Sequence, residues 1–208
     1  MRSGWMHQAG ENGSADPVRD ELQARLRDVE QRMREMARHD PLTGLANRAL
    51  FEEHLRLALA RARRHDLGVA VLFVDLEGFG LLNDRLGRPI GDEVLRQAAD
   101  RVAQATRETD LAARQDADEF LVLIADLERG VDGSDRAWRD AESVAGRIET
   151  AFADPFRVGG IEVPVRISMH TSVFPDDGRD AHALLARANA ARSRSGARPD
   201  AAQVALER

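Results

Sequence analysis

The sequence predicts an α/β sandwich, a central sheet with helices packed on it, preceded by an N-terminal helical stalk. Three observations lead there. Val69-Ala70-Val71-Leu72-Phe73-Val74 is a continuous apolar run, the pattern of a strand buried on both faces. Apolar residues recur at helical spacing in the segments around it. Strands and helices then alternate along the chain, an order that packs helices against a sheet.

Taken in order, residues 1–16 are rich in Gly, Ser and polar side chains and read as a tail. Pro17 suits the first turn of a helix. Leu22, Leu26, Val29, Met33 and Met36 follow at heptad spacing, so a coiled-coil stalk is expected over residues 17–39. A lone amphipathic helix packed on its own domain is the alternative. Asp40-Pro41 ends it, because the residue before proline disfavours the α region. The domain proper is expected over residues 40–196.

Within that domain, a turn at Thr43-Gly44 leads into a helix over residues 47–65. Leu50, Phe51, His54, Leu55, Ala58, Leu59 and Ala62 share one face of it. The buried strand ends at Asp75, and residues 91–105 read as the next helix. Leu111 to Ala113 and Phe120 to Ala125 are short apolar runs around a polar tip, a hairpin pattern. Ala137 to Phe152 is helical, Ile161 to Phe174 is strand-like, and His182 to Ser193 is a final helix. Residues 197–208 carry no clear pattern and read as a tail or linker.

Composition narrows the function. Of 208 residues, 43% are apolar, enough for a packed core. The net charge of −6 argues against a nucleic-acid partner, which calls for basic surface. There is no Cys, so disulfides, thiolate metal sites and Cys nucleophiles are excluded. No apolar run approaches the ~20 residues of a membrane helix and no secretory signal is visible, so no membrane partner and a cytoplasmic location are expected. All 30 basic residues are Arg. A planar guanidinium and a compact ammonium fit different pockets, so Arg does not replace Lys neutrally everywhere.

Acidic residues cluster twice. Asp75 and Glu77 stand just past the buried strand, followed by Phe79 and Asn83-Asp84, and the hairpin tip reads Asp116-Ala117-Asp118-Glu119. Taken alone, each cluster is an ordinary solvated strand end or turn. Together, a strand end and a neighbouring hairpin can converge on a hard divalent cation. Mg²⁺ favours one or two carboxylates completed by substrate phosphate oxygens.

These residues carry a family resemblance. Asp40-Pro41-Leu42-Thr43-Gly44-Leu45-Ala46-Asn47-Arg48 resembles the opening D-x-L-T-G-L-x-N-R of GGDEF domains, the diguanylate cyclase family. Val74-Asp75-Leu76-Glu77-Gly78-Phe79 resembles the D-x-D-x-F stretch, and Asn83-Asp84 and Gly91-Asp92 resemble the N-D and G-D after it. Ala113-Arg114-Gln115-Asp116-Ala117-Asp118-Glu119-Phe120 resembles the signature hairpin. Phe174-Pro175-Asp176-Asp177-Gly178 and Leu184-Leu185 resemble the late strand and final helix. The match covers about three-quarters of the chain.

The resemblance implies a nucleotidyl-cyclase-like palm with a mainly antiparallel sheet flanked by helices. Active members join two GTP molecules into cyclic di-GMP, one GTP per subunit of an antiparallel dimer. The resemblance implies that Asp75 and Glu119 hold Mg²⁺ with the Leu76 carbonyl, and that Asp118 stands at the catalytic third position of the loop. Asn83 and Asp92 would bind the guanine edge. The residue types suit this, since a carboxylate accepts from guanine N1–H and N2–H₂ and an amide donates to its acceptors.

The signature is altered where phosphate should bind. Asp116 and Ala117 replace its two glycines, whose lack of a side chain lets backbone N–H groups approach phosphate. Ala117 adds a Cβ and would be strained if the loop requires a positive φ. Asp116 adds a carboxylate, and two unit charges about 5 Å apart repel by roughly 3 kcal/mol at an effective dielectric near 20. The family's Lys after D-x-D-x-F is Gly80, and the His of G-H-x-x-G-D is Arg88. The S-I-G strand motif reads Ser168-Met169-His170. The late Tyr and Lys are absent from Ala188 to Gly196, where Arg192 and Arg194 stand in a different register. Phosphoryl transfer rests on positioning and charge stabilisation, so little or no cyclase activity is expected.

A second site reads as intact. Arg107-Glu108-Thr109-Asp110 lies just upstream of the hairpin tip, at the offset of the family's inhibitory R-x-x-D site for cyclic di-GMP. Arg pairs with phosphate or with guanine O6/N7, and Asp accepts from guanine N1–H and N2–H₂. In the family a further Arg from the next helix often helps, which makes Arg136 and Arg139 the candidates. The leading expectation is a cyclic di-GMP receptor or regulatory module, homodimeric and joined to a protein partner or a fused output domain, with no requirement for Mg²⁺. An active divergent cyclase and a ligand-free dimerisation module are the alternatives.

Overall fold

The computed structural model describes residues 38–130 and 136–195, together with residues 21, 22 and 25; side chains of residues 191–195 are not among those described. The tails over 1–16 and 197–208 and most of the heptad segment lie outside the described residues. Glu21, Leu22 and Arg25 are helical and Arg25 pairs with Glu21 at 2.7 Å.

From residue 38 onward the described elements are β1 (Ala46–Asn47), α1 (Arg48–His65), β2 (Leu67–Glu77), α2 (Phe79–Leu86), α3 (Arg88–Ala105), β3 (Leu111–Asp116), β4 (Glu119–Glu128), α4 (Arg136–Phe152), β5 (Phe156–Val158), β6 (Ile161–Val163), β7 (Arg166–Phe174) and α5 (Ala181–Ser195). Five strands form one sheet in the order β1-β3-β4-β2-β7. The β1–β3 pair is parallel and the other pairs are antiparallel. This is the mainly antiparallel, helix-flanked sheet that the sequence predicts.

Strand β2 is central, and its alternation sorts the core into two layers. Ala70, Leu72, Val74 and Leu76 pack with Val94, Leu95, Ala98 and Val102 of α3 and with Ala141, Val144 and Ile148 of α4. Val69, Val71 and Phe73 pack with Phe51, Leu55 and Leu59 of α1 and Leu184 and Ala188 of α5. Helices on both faces explain why β2 is apolar from Val69 to Val74 although its sheet is antiparallel. Each fully buried Leu or Phe contributes about 1.5–3 kcal/mol.

Local chemistry sets the ends. Asn47 caps α1 by accepting from the Leu50 N–H at 3.0 Å. Asp66 closes the same helix in the left-handed region at φ 55°. Arg101 of α3 lies 3.8 Å from the ring centroid of Phe156 and donates to the carbonyls of Asp154 and Pro155. That contact fixes α3 against the end of α4.

Several elements differ from the sequence reading, the short strands β1 and β5 among them. The expected single strand over Ile161–Phe174 is two, because Pro164 lacks the N–H a ladder needs; β6 pairs with β5 in a separate ribbon and β7 joins the sheet. Helix α2 was not anticipated, and α3 starts at Arg88 rather than residue 91, with Pro89 in its first turn.

Candidate functional site

The acidic residues sit at one end of the paired strands β2 and β4. Asp75 on β2 pairs in register with Glu119 on β4 and with Ser168 on β7. Asp75 follows Val71 and Phe73 on the α1 side of the sheet, and Glu119 shares that face with Leu121. The Leu76 N–H donates to the Asp118 carbonyl at 3.2 Å, tying the hairpin tip to β2. Gln115 donates to Glu119 at 2.9 Å. Two half-buried carboxylates opposed across a strand pair suit a hard cation such as Mg²⁺. Among the described residues no group of three or more His, Asp or Glu could hold a metal. Asp75 and Glu119, with the Leu76 carbonyl, are the residues that would hold Mg²⁺, with oxygens of a nucleotide completing its shell and the ion supplying charge neutralisation.

The hairpin tip is closed on itself. Asp116 pairs with Glu119, leaving Ala117 and Asp118 as the turn. Among the described residues, the non-glycine positions with positive φ are Asp66 and Asp126, so Ala117 takes no left-handed backbone and its methyl brings no strain of that kind. The Asp116 Oδ1 accepts from the Ala117 N–H at 2.9 Å. The Ala117 carbonyl accepts from Arg114 Nε at 3.2 Å and Nη2 at 2.6 Å.

Arg114 also pairs through Nη1 with Asp40 at 3.0 Å, both side chains largely covered. Asp40 in turn accepts from the Thr43 N–H at 2.8 Å and hydroxyl at 2.7 Å. Burial alone would raise the Asp40 pKa; the hydrogen bonds from Thr43 and Arg114 outweigh it and hold the carboxyl below its ordinary value. The opening turn of the domain and the altered tip thus share one guanidinium.

Asn83 on α2 meets the start of α3 at Gly91. A Cβ on Gly91 would lie 1.8 Å from Asn83 Oδ1, so only glycine admits the Asn side chain here. That oxygen is buried without a hydrogen-bond partner, while Asp92, next in line, is exposed. Of the altered positions, Gly80 and Arg88 are exposed, and Met169 packs on the core. His170 pairs in register with Phe73, its Nε2 is buried without a partner, and burial pushes its pKa down. The side chains of Arg192 and Arg194 lie outside the described residues.

Arg107 and Asp110 form a turn between α3 and β3. The Asp110 carboxylate accepts from the Arg107 N–H at 2.9 Å, and the Asp110 N–H donates to the Arg107 carbonyl at 3.0 Å. Arg107 is exposed and Asp110 half-buried. Arg136, at the start of α4, pairs with Glu128 at 2.7 Å, and Arg139 is exposed.

A residue missed in the sequence stands closer to this turn. Arg147 Nε donates to the Ala105 carbonyl at 2.8 Å, at the last residue of α3, and its Nη1 reaches Ser143 at 3.4 Å. Helices α3 and α4 run antiparallel, since Arg101 meets Asp154 while Ala105 meets Arg147. Arg147, in the second half of α4, therefore stands at the end of α3 that precedes the Arg107 turn.

A family model described as "Diguanylate cyclase, GGDEF domain" matches residues 37–199. The diguanylate cyclase TpbB of Pseudomonas aeruginosa is 39% identical over 184 residues, 86% of this chain and 40% of that protein. MucR of the same organism, a bifunctional diguanylate cyclase/cyclic di-GMP phosphodiesterase, is 35% identical over 157 residues, 76% of this chain and 22% of that one. The chain thus spans well under half the length of either relative. The crystal structure of the TpbB GGDEF domain superposes with a TM-score of 0.69 at 36% identity, covering 74% of this chain and 91% of that one.

Proposed function

The chain belongs to the diguanylate cyclase GGDEF family, and from that premise we propose that it is a cyclic di-GMP receptor whose own cyclase chemistry is impaired. One observation carries the reading: the Arg107–Asp110 turn is closed by its own hydrogen bonds with the guanidinium exposed, and Arg147 stands at the helix end beside it. An exposed Arg can pair bidentately with phosphate or with guanine O6 and N7, and Asp110 can accept from guanine N1–H and N2–H₂. Cyclic di-GMP offers both groups twice. Arg139 is the next cation along α4, and Arg136 would have to leave Glu128 to take part.

The tip supports the other half. The Ala117 N–H, a donor such a loop would offer to phosphate, is taken by the Asp116 carboxylate. GTP would meet an anion there instead of a donor. In this reading Asp118 and Glu119 are vestigial, and Mg²⁺ plays no part in receptor function. A homodimer, and a protein partner or fused output domain, complete the proposed assembly; a cytoplasmic location fits it, and among the described residues no helix is long and apolar enough to cross a membrane.

Isothermal titration of cyclic di-GMP into nucleotide-free protein tests the receptor role. Heat at low micromolar ligand that disappears in Arg107→Ala supports it; no heat at tens of micromolar refutes it.

The opposition of Asp75 and Glu119 favours a second reading, an active divergent cyclase. Incubation with GTP and Mg²⁺ or Mn²⁺, followed by chromatography, separates the two. Cyclic di-GMP formed by the protein and not by Glu119→Ala would establish the cyclase.

A further inference from the structure

We propose that Gln115 is a positioning residue for the cation site: its amide holds Glu119 so that the carboxylate offers one oxygen to a divalent ion, and this selects Mg²⁺ or Mn²⁺ over Ca²⁺. It presupposes the Asp75–Glu119 pair as a cation site and is independent of the Arg107 turn.

A bulge places the amide. Arg114 on β3 pairs with Phe120 on β4, and Asp116 pairs with Glu119, so Gln115 is the extra residue between them. Two positions before it, Ala113 packs on the α1 side of the sheet with Leu121. Alternation puts Gln115 on that same side, the face of Glu119. There Gln115 Nε2 donates to Glu119 Oε2 at 2.9 Å, and both residues are half-buried.

The surroundings of Glu119 call for such a donor. It stands in register between Asp116 on β3 and Asp75 on β2, and like charges on adjacent strands repel. Without the amide, that repulsion would push the carboxylate out of its place toward solvent. With Oε2 accepting the amide hydrogen, a cation shared with Asp75 meets one oxygen of Glu119 instead of a symmetric pair. This suits Mg²⁺, which demands a near-ideal octahedron at about 2.0–2.1 Å and keeps several waters. Mn²⁺ takes the same octahedral oxygen shell. Ca²⁺ gathers about 6–8 oxygens at about 2.3–2.6 Å and gains from a bidentate Glu, which the amide opposes.

The test is titration of Mn²⁺ into nucleotide-free protein, read by the paramagnetic resonance signal of the free ion, then displacement with Mg²⁺ and with Ca²⁺. Saturable Mn²⁺ binding that is lost in Glu119→Gln locates the ion at the pair. Mg²⁺ is expected to displace it at lower concentration than Ca²⁺. Gln115→Leu keeps the size and removes the donor. It should weaken Mn²⁺ and Mg²⁺ by about tenfold or more, the usual cost of losing a ligand's hydrogen-bond partner, and Ca²⁺ by less, so the preference narrows or reverses. Gln115→Glu keeps the shape and exchanges the donor for a further carboxylate, so it should move the preference toward Ca²⁺ as well. Circular dichroism verifies that each variant is folded.

No saturable Mn²⁺ at millimolar concentration, or binding that Glu119→Gln leaves intact, removes the cation site and the proposal with it. The proposal alone is overturned if Ca²⁺ displaces Mn²⁺ from the unmodified protein as well as Mg²⁺ does, or if the preference is unchanged in both Gln115 variants. None of these results touches cyclic di-GMP binding at Arg107, so the two proposals fail separately.

Discussion

The carboxylate of Asp110 accepts the backbone N–H of Arg107 at 2.9 Å, so the two residues of the proposed ligand site are held in one turn before any ligand arrives. Such a turn loses little conformational entropy on binding. Arg107→Ala should weaken cyclic di-GMP binding by about tenfold or more, the worth of a charge-assisted bidentate contact. Asp110→Asn keeps an acceptor for the turn but loses the carboxylate, so it should lower affinity while the melting temperature stays near that of the parent. Calorimetry and thermal unfolding on the same samples check both.

Arg147 and Arg136 should separate clearly. Arg147 is half-buried and bonded to the end of α3, so Arg147→Ala should cost about 1 kcal/mol of stability and reduce ligand affinity. Arg136 pairs with Glu128 between two exposed side chains, and Arg136→Ala should change stability by no more than about 0.5 kcal/mol. Urea unfolding and ligand titration of the two variants measure the contrast.

The Asp40–Arg114 pair should couple strongly. A double-mutant cycle with Asp40→Asn and Arg114→Leu is expected to give about 1–3 kcal/mol of coupling. Asp40 has a folded pKa below its ordinary 3.8. Its contribution is therefore full above that value and fades as pH falls through the folded pKa. Asp40→Asn should remove that part of the acid-range loss of stability, measured by urea unfolding from neutral to strongly acidic pH.

His170 adds a step at higher pH. Burial lowers its pKa below the ordinary 6.5, so the unfolded chain takes up the proton first as pH falls. Stability should decline from about pH 6.5 toward the folded pKa and level off below it. His170→Phe should remove this step, and denaturant unfolding across pH 5–8 would detect it.

How much of this the sequence carried depends on the range of each contact. The β2 run and the hairpin were legible because burial on both faces and period-two patterning are local properties. The eight-residue helix α2 was not, since Phe79 to Leu86 mixes Gly and Asn into too short a window for helical periodicity to emerge. The break at Pro164 was hidden by apolar residues on both sides of it. Asp75, Glu119, Asn83 and the Arg107 turn were visible as motifs. The roles of Arg114 and Arg147 were not, because their partners lie 74 and 42 residues away and only the packing of the turn and the antiparallel helices brings them together.

Whether the family fold here receives cyclic di-GMP at Arg107 and Asp110 is decided by one calorimetric titration of cyclic di-GMP into nucleotide-free protein, alongside Arg107→Ala. Saturable binding at low micromolar ligand, lost in the variant, is expected. Flat heats at tens of micromolar ligand, or binding that Arg107→Ala leaves unchanged, would contradict it.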